Sequence, residues 1–349
     1  MKRFKRQKDY GFFDQDIRLS KLSQLGDPLE RLNKGVEFEV FRTFLEDNII
    51  KLPKGKGGRP PYDYVLMFKI MILQRYYNLS DEQVEYQIND RMSFMRFLNL
   101  TISDDVPDSR TVWNFREQLT DLEMIEPLFD LFLKELETLG LIVNEGKIID
   151  ASFVEVPRQR NSRDENKKIK NNEIPREWKD KPRKLSQKDT DAKWTKKNNQ
   201  IFFGYKNHIK TDDTSKIICR YKVTSAEVHD SQATEDLLEE KDKGEELYAD
   251  SAYTGEKQEE VISKKELINR VHEKGYKNKP LTDQQKANNK IKSQIRVRVE
   301  HIFGFMENSM NGMEIRSIGF KRAEAIIGLS NLVYNMFRKI QLQTSPTMG

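Results

Sequence analysis

Three acidic residues have the types and settings for phosphodiester chemistry: Asp150, Asp250 and Glu300. Asp150 ends the apolar run G-K-I-I-D, and Asp250 ends a second one, E-L-Y-A-D. Glu300 lies in a basic, helix-patterned stretch, K-S-Q-I-R-V-R-V-E-H-I-F-G. A phosphodiester resists attack because its own charge repels the nucleophile. Two Mg²⁺ ions about 3.5–4 Å apart overcome this by activating the attacking oxygen and stabilising the leaving one. Mg²⁺ takes hard oxygen ligands and keeps several waters, so a few carboxylates suffice. Nothing points to soft or nitrogen ligation. The four histidines, His208, His229, His272 and His301, are scattered, and the single Cys219 excludes a Cys-rich zinc module.

The neighbours of these acids refine the reading. Lys292, Arg296 and Glu300 are four apart and share a helix face. Arg296 can reach a bound phosphate or orient the glutamate. Alone, this triplet reads equally as a surface ion-pair ladder; the two strand-end aspartates in the right order favour the site. Glu155 is five residues past Asp150 and faces the other side of a strand. Asp212 and Asp213 read as turn formers, Asp230 as a helix cap and Glu307 as a solvated acid. Trp194, in W-T-K-K-N-N, either stacks on a base or pins its loop.

The elements that must position these residues fall into two styles. Residues 1 to about 60 read as a polar arm with a helical stretch over Pro28 to Asp47, then a G-K-G-G-R-P-P loop from Gly55 to Pro61. Residues 61–140 read as all-helical. They hold an apolar helix over Tyr62–Tyr77, a capping box at Ser80 and Gln83, a helix to Asn89, and another over Met92–Leu98. A further helix is capped by Asp108 or Ser109, and one more covers Met124–Leu139. The S-D-E-Q and D-S-R-T helices fit a helix-turn-helix that reads DNA, and equally an ordinary helical pair. From Gly146 the period shortens to that of strands. The spacing predicts a strand with Asp150, then a hairpin turning at Asp212-Asp213, then a helix from Asp230 to Glu240. After these come a strand ending at Asp250, a helix, a strand over Leu267–His272, a helix carrying Glu300, and a last helix over Ala323–Ile340. That order is the RNase H-like one. There the first and fourth strands are neighbours, so the two aspartates meet. The expected fold is α+β with an α/β core: a helical domain 61–140, then an RNase H-like mixed-sheet domain 141–345.

Composition agrees with a partner that is a polyanion. Charged residues are 34% and hydrophobic ones 36%, with a net charge of +5. The segment 157–200 holds 15 Lys and Arg against 7 Asp and Glu, a local +8 that leaves the rest of the chain at −3. It is too poor in apolar residues to bury much and is expected to be a mobile, charged insertion. One cysteine fits a reducing compartment. No apolar run approaches the ~18 residues of a membrane span, and no signal-peptide pattern follows the basic N-terminus. A cytoplasmic, nucleoid-associated protein with no membrane partner is expected.

Several motifs together resemble the DDE transposases of bacterial insertion sequences, specifically the insertion-sequence-five-like family. They are G-R-P-P-Y-D-Y-V-L-M-F-K, D-S-R-T-V-W-N-F-R, I-I-D-A-S, F-F-G-Y-K-N-H-I-K-T-D, V-T-S-A-E-V-H-D-S, Y-A-D-S-A-Y-T-G, R-V-R-V-E-H-I-F-G and S-N-L-V-Y-N-M-F-R. They run in family order from about Gly58 to Arg338. The resemblance implies that Asp150, Asp250 and Glu300 form the catalytic and metal-binding triad for Mg²⁺, with Mn²⁺ able to substitute. It implies binding of terminal inverted repeats by a homo-oligomer, a dimer on DNA. Hydrolysis at each end frees a 3′-hydroxyl, which then attacks target DNA at the same site. Lys292, Arg296, Arg298, Lys321 and Trp194 are the expected DNA contacts. Relatives often carry a tyrosine seven before the glutamate and a lysine seven after it; here Ser293 and Glu307 stand there. The lysine's phosphate contact would then fall to Lys321 or to a lysine of 157–200. Two alternatives share the acids: an RNase H-like nuclease without transposition, and a captured or inactive copy acting as a DNA-binding protein.

Overall fold

A computed structural model describes residues 11–49, 60–197 and 199–344. The basic N-terminal decapeptide and the Gly55–Arg59 part of the expected loop lie outside the described residues. Up to residue 140 the described chain is helical: α1 (Asp14–Gln24), α2 (Pro28–Gly35), α3 (Arg42–Asn48), α4 (Tyr64–Tyr76), α5 (Asp81–Asp90), α6 (Met92–Leu98), α7 (Ser109–Asp121) and α8 (Ile125–Thr138). Side chains set the starts. Asp63 accepts the Leu66 N–H at 2.9 Å, Asp108 accepts that of Thr111 at 2.7 Å, and Ser80 and Gln83 form the expected capping box. α4 is apolar around nearly its whole circumference and buries Val65, Phe68 and Ile72 at the centre of the helical layer. The helix expected over Pro28 to Asp47 is broken. A 3-10 turn, Phe38–Phe41, separates α2 from α3 and sends Phe38 and Phe41 into the core. α1 was not foreseen; it buries no residue, so it has no apolar stripe to read.

Beyond Gly146 the chain builds one mixed sheet: β1 (Gly146–Glu155), β2 (Lys193–Lys197), β3 (Gln200–Asp212), β4 (Ile218–Ser225), β5 (Glu246–Tyr248) and β6 (Ile268–Asn269). The order is β2-β3-β1-β5-β6, with β4 also on β3. β2 pairs with residues 200–204 of β3 and β4 with residues 205–211, so the two share one edge of β3 end to end. β1 is antiparallel to β3 and parallel to β5, and β5 is parallel to β6. Helices cover both faces. α16 (Phe320–Thr344), with α15 (Glu300–Asn308), packs over Ile148 and Ile209 in the core shared with the N-terminal helices. On the other face, Ile149 and Leu247 pack against Leu237 of α12 (Thr234–Leu237) and Ile262 of α13 (Glu256–Lys264). α14 (Asp283–Arg296) leads into α15.

Two expectations are corrected here. The described residues of segment 157–200 are folded and not a bare loop. They form α9 (Arg163–Lys170), α10 (Arg176–Lys179), α11 (Pro182–Leu185) and β2, folded around the fully buried Trp178. One large indole and a set of hydrogen-bonded charges replace the apolar area that composition lacks. Trp178 Nε1 donates to Glu165 at 2.6 Å, and the buried Lys193 ammonium donates to Asn172 Oδ1 at 2.9 Å and to the Ile169 carbonyl. The helix expected from Asp230 to Glu240 is instead a 3-10 turn (Asp230–Ala233), the single turn of α12, and a second 3-10 turn (Glu240–Asp242). Its cap is His229, whose ring accepts the Ser231 N–H at 3.3 Å. Asp230 turns inward to a lysine pair instead.

Candidate active site

The register of β1 on β5 brings the two aspartates together. Gly146, Lys147 and Ile148 lie opposite Glu246, Leu247 and Tyr248, an offset of 100 residues. Carried two residues further, the same offset sets Asp150 beside Asp250. Asp150 is not at a strand end as expected. β1 goes on pairing with β3 as far as Glu155, and only its pairing with β5 stops at Ile148. Asp250 follows β5, and its Oδ1 accepts the Ala252 N–H at 2.7 Å to open the 3-10 turn Ser251–Tyr253.

Glu300 arrives from the other side. The expected helix face Lys292–Arg296–Glu300 is interrupted by a 3-10 turn at Val297–Val299, so Arg296 ends α14 and Glu300 begins α15. Arg296 Nη1 donates to Asp150 Oδ2 at 2.8 Å, and Nη2 lies 3.8 Å from Glu300 Oε1. The guanidinium thus bridges the first and third acids. The Asp150 side chain is 15% exposed and that of Glu300 62%. Burial pushes the Asp150 carboxyl up to about 6; the Ala151 N–H and Arg296 oppose this, Asp250 adds to it, and Lys197 opposes it.

Among the described residues, no group of three or more His, Cys, Asp or Glu is gathered closely enough to hold a metal ion. Asp150 and Asp250 nevertheless supply hard oxygen donors whose mutual repulsion a cation would relieve. Two buried donors beside them, Tyr253 Oη and Arg296 Nε, have no hydrogen-bond partner. Burial first, then Asp150, Asp230 and Asp250, keep the Tyr253 phenol protonated. Buried donors without acceptors are rare, and these two are suited to oxygens that a cation or substrate brings.

A family model described as a transposase DDE domain matches residues 143–336, more than half of the chain. The chain belongs to that family. It is a DDE transposase of insertion-sequence type, and the matched span contains all three acids. A second family model, described as a transposase domain, matches residues 17–118, the helical part. No solved structure matches the chain. Membership makes the transposase an enzyme that acts on DNA. No helix among the described residues is long and apolar enough to cross a membrane.

The transposase's expected DNA contacts scatter. Arg296 is at the acids. Lys292 donates to the Val271 carbonyl at 2.9 Å, tying α14 to the segment after β6. Arg298 is held by Asp213 at 3.2 Å, in the β3–β4 turn. Lys321 pairs with Glu123 at 2.9 Å in a cleft that none of the three acids lines. Trp194 packs on Phe203 with ring centroids 4.7 Å apart and keeps 38% of its surface exposed. Glu307 is exposed. Sequence reasoning passed over Tyr253, three residues past Asp250 within the quoted Y-A-D-S-A-Y-T-G. It also passed over His272, whose proton affinity is lowered by burial, then by Arg296 and Lys292. No spacing rule singles out either residue; Tyr253 sits in the turn that Asp250 opens, and the docking of α14 on residues 271–273 brings His272 to Ser293.

Proposed function

We propose that Asp150, Asp250 and Glu300 are the catalytic acids of a transposase that cuts DNA at the ends of its element and joins them to a target. The observation that supports this is the Arg296 guanidinium, 2.8 Å from Asp150 and 3.8 Å from Glu300, together with a β1–β5 register that would bring Asp250 opposite Asp150 if continued two residues. Asp150 and Asp250 would hold a divalent ion, Mg²⁺ or Mn²⁺, with Glu300 as a third ligand once its carboxylate turns past Arg296. Bound there, such an ion supplies Lewis-acid stabilisation of the attacking and leaving oxygens. The chain's own residues do the rest. Arg296 pairs with the buried Asp150 and lies 3.8 Å from Glu300, so it can hold both acids in place. Tyr253 presents a protonated hydroxyl at the same place. The 3′-hydroxyl freed by the first cut would attack target DNA in this site, so one constellation serves hydrolysis and transesterification.

The work divides along the chain. Residues 61–140, with the arm before them, would bind the terminal inverted repeats through the α5–α7 pair, and residues 141–345 would carry the chemistry. A dimer would hold two ends at once, on nucleoid DNA in the bacterial cytoplasm. Assignment to the insertion-sequence-five-like branch rests on the motifs quoted above. The test uses purified protein, a labelled duplex carrying the DNA that flanks the coding region, and a supercoiled target, with Mg²⁺ or EDTA. Mg²⁺-dependent nicking at the end and a joined product are expected. Asp150→Asn, Asp250→Asn and Glu300→Gln should bind the end as the wild type does while losing at least ~10³-fold in cleavage, the scale of removing a group that acts only in the transition state. Cleavage at the wild-type rate by any of the three would remove that residue from the site.

A further inference from the structure

Among the described residues, Arg75 is a buried cation without a carboxylate partner. It lies near the end of α4, is 6% exposed, and its Nη2 donates to the Gly312 carbonyl at 2.7 Å. That bond uses one of the five guanidinium donors, and the buried Nε has no partner. The charge that acts on Arg75 is that of a second cation, Arg316. Burial first, then Arg316, lowers its proton affinity to about 10, so the guanidinium is still charged at neutral pH. An unpaired buried charge is costly, and a tether to one carbonyl needs only a neutral donor.

Arg75 and Arg316 line one cavity of about 300 Å³, between the helical part and the segment that joins α15 to α16. Three acids line it too, and none answers Arg75. Asp81 is held by Arg116 through both carboxylate oxygens, the second at 2.9 Å, and by Gln74 Nε2 at 2.6 Å. Glu82 and Glu314 are exposed. The start of α5 at Ser80 forms part of the wall, and a helix N-terminus leaves N–H groups without helical acceptors. Met71, Leu79 and Trp113 supply an apolar side.

We propose that this cavity binds a small phosphate dianion, inorganic phosphate or the monoester of a mononucleotide, between Arg75 and Arg316. Two guanidinium groups that no carboxylate neutralises suit a doubly charged oxyanion, which they grip through charge-assisted hydrogen bonds. The volume is at the lower end of small-molecule sites, and the burial of Arg75 keeps it from a phosphate carried on a duplex backbone. None of Asp150, Asp250 and Glu300 lines the cavity, so the assignment does not rest on the cutting and joining reaction. Its walls come from α4, α5 and α7 on one side and from residues 314–317 and α16 on the other. A bound dianion would therefore clamp the helical part to the catalytic part.

The experiment is isothermal calorimetry on the full chain without metal or DNA. Inorganic phosphate or AMP is titrated, in chloride of matched ionic strength, into wild type, Arg316→Gln, Arg75→Gln and, as a control on α1, Arg18→Gln. One saturable site is expected in the wild type and in Arg18→Gln. Arg316 is exposed, so its variant should fold, and its Kd should rise at least about tenfold, the lower end for losing one charge-assisted hydrogen bond. Arg75→Gln should abolish binding with an unchanged circular dichroism spectrum; if it does not fold, the Arg316→Gln titration decides alone. Equal affinity for the two ligands would support recognition of the phosphate by itself, and tighter AMP would support a nucleoside on the Trp113 side. No saturable binding in the wild type, an unchanged Kd in Arg316→Gln, or an equal loss in Arg18→Gln would overturn the assignment. So would a short DNA duplex that binds through Arg316 where phosphate and AMP do not, since the cavity would then be part of a DNA surface.

Discussion

His208 carries a consequence of the polar layer beneath the acids. It is fully buried on β3, with Nε2 2.8 Å from Thr224 Oγ1 and Nδ1 without a partner. Burial is the first cause that lowers its affinity for a proton, to about 4; Lys206 and Lys197 add to this and Asp230 opposes it. The unfolded chain, near 6.5, therefore binds the proton more tightly than the folded one. Stability from this group is complete above about pH 6.5 and is lost as pH falls toward 4, by up to ~3 kcal/mol. Urea unfolding at pH 7.5 and pH 5 should show a smaller drop for His208→Gln than for the wild type. An equal drop would mean that the imidazole is solvated or protonated in the fold. The residue scale is also where the sequence was most and least readable. Asp150 and Asp250 could be found because each ends a short apolar run. Asp230 was read as a cap because V-H-D-S has the pattern of one, and nothing local reveals that Lys206, 24 residues earlier, would claim its carboxylate.

At the scale of elements, the insertion shows why composition misleads. The segment from 157 to 200 has too few apolar residues for an ordinary core, yet Trp178 and Ile169 are buried and Glu165 gathers Trp178, Lys184 and the Ser162 N–H. The readable signal was Ser162-x-x-Glu165, a capping box that opens α9. β2 was legible only in hindsight, since five residues with three lysines do not outscore a loop. The insertion matters because it carries β2, which must be held on the edge of β3. Trp178→Ala removes the indole around which α9, α10 and α11 pack, a loss of about 3–5 kcal/mol for a buried Trp. That exceeds what so small a unit can spare, so the insertion should open locally. Limited trypsin digestion should then cut Trp178→Ala first between Arg163 and Lys188, while wild type resists there. Equal resistance in both proteins would show that the segment is held by contacts other than its indole.

Across the whole molecule, α16 is the seam between the helical part and the sheet. On one side Phe337 stacks on Tyr76 of α4 at 4.2 Å and Lys339 pairs with Glu135 of α8 at 2.5 Å. On the other, Asn331 bonds Asn207 of β3 at 2.7 Å, and Asn335 bonds both the N–H and the carbonyl of Ile218 on β4 at 2.9 Å. The sequence showed this helix and its apolar spacing, but not that its asparagines would hold the sheet, because an Asn in a helix reads as surface. Gly328 lies where the seam is tightest. A Cβ there would meet Tyr221 Oη of β4 at 2.3 Å and Ile125 Cγ2 of α8 at 2.9 Å, one contact on each side. Gly328→Ala gains helix propensity, yet must push the two layers apart, for a net loss of about 1–3 kcal/mol. Because one helix serves both layers, the loss should not be confined to either. Hydrogen exchange should show faster opening in α4 and α8 and in β3 and β4 together, with a single urea transition shifted to lower denaturant. Adding Tyr221→Phe, which removes the nearest clashing atom, should recover part of the loss in both regions. Faster exchange in the sheet alone, with α4 and α8 unchanged, would mean that the helical part and the sheet are separate cooperative units that merely touch along α16.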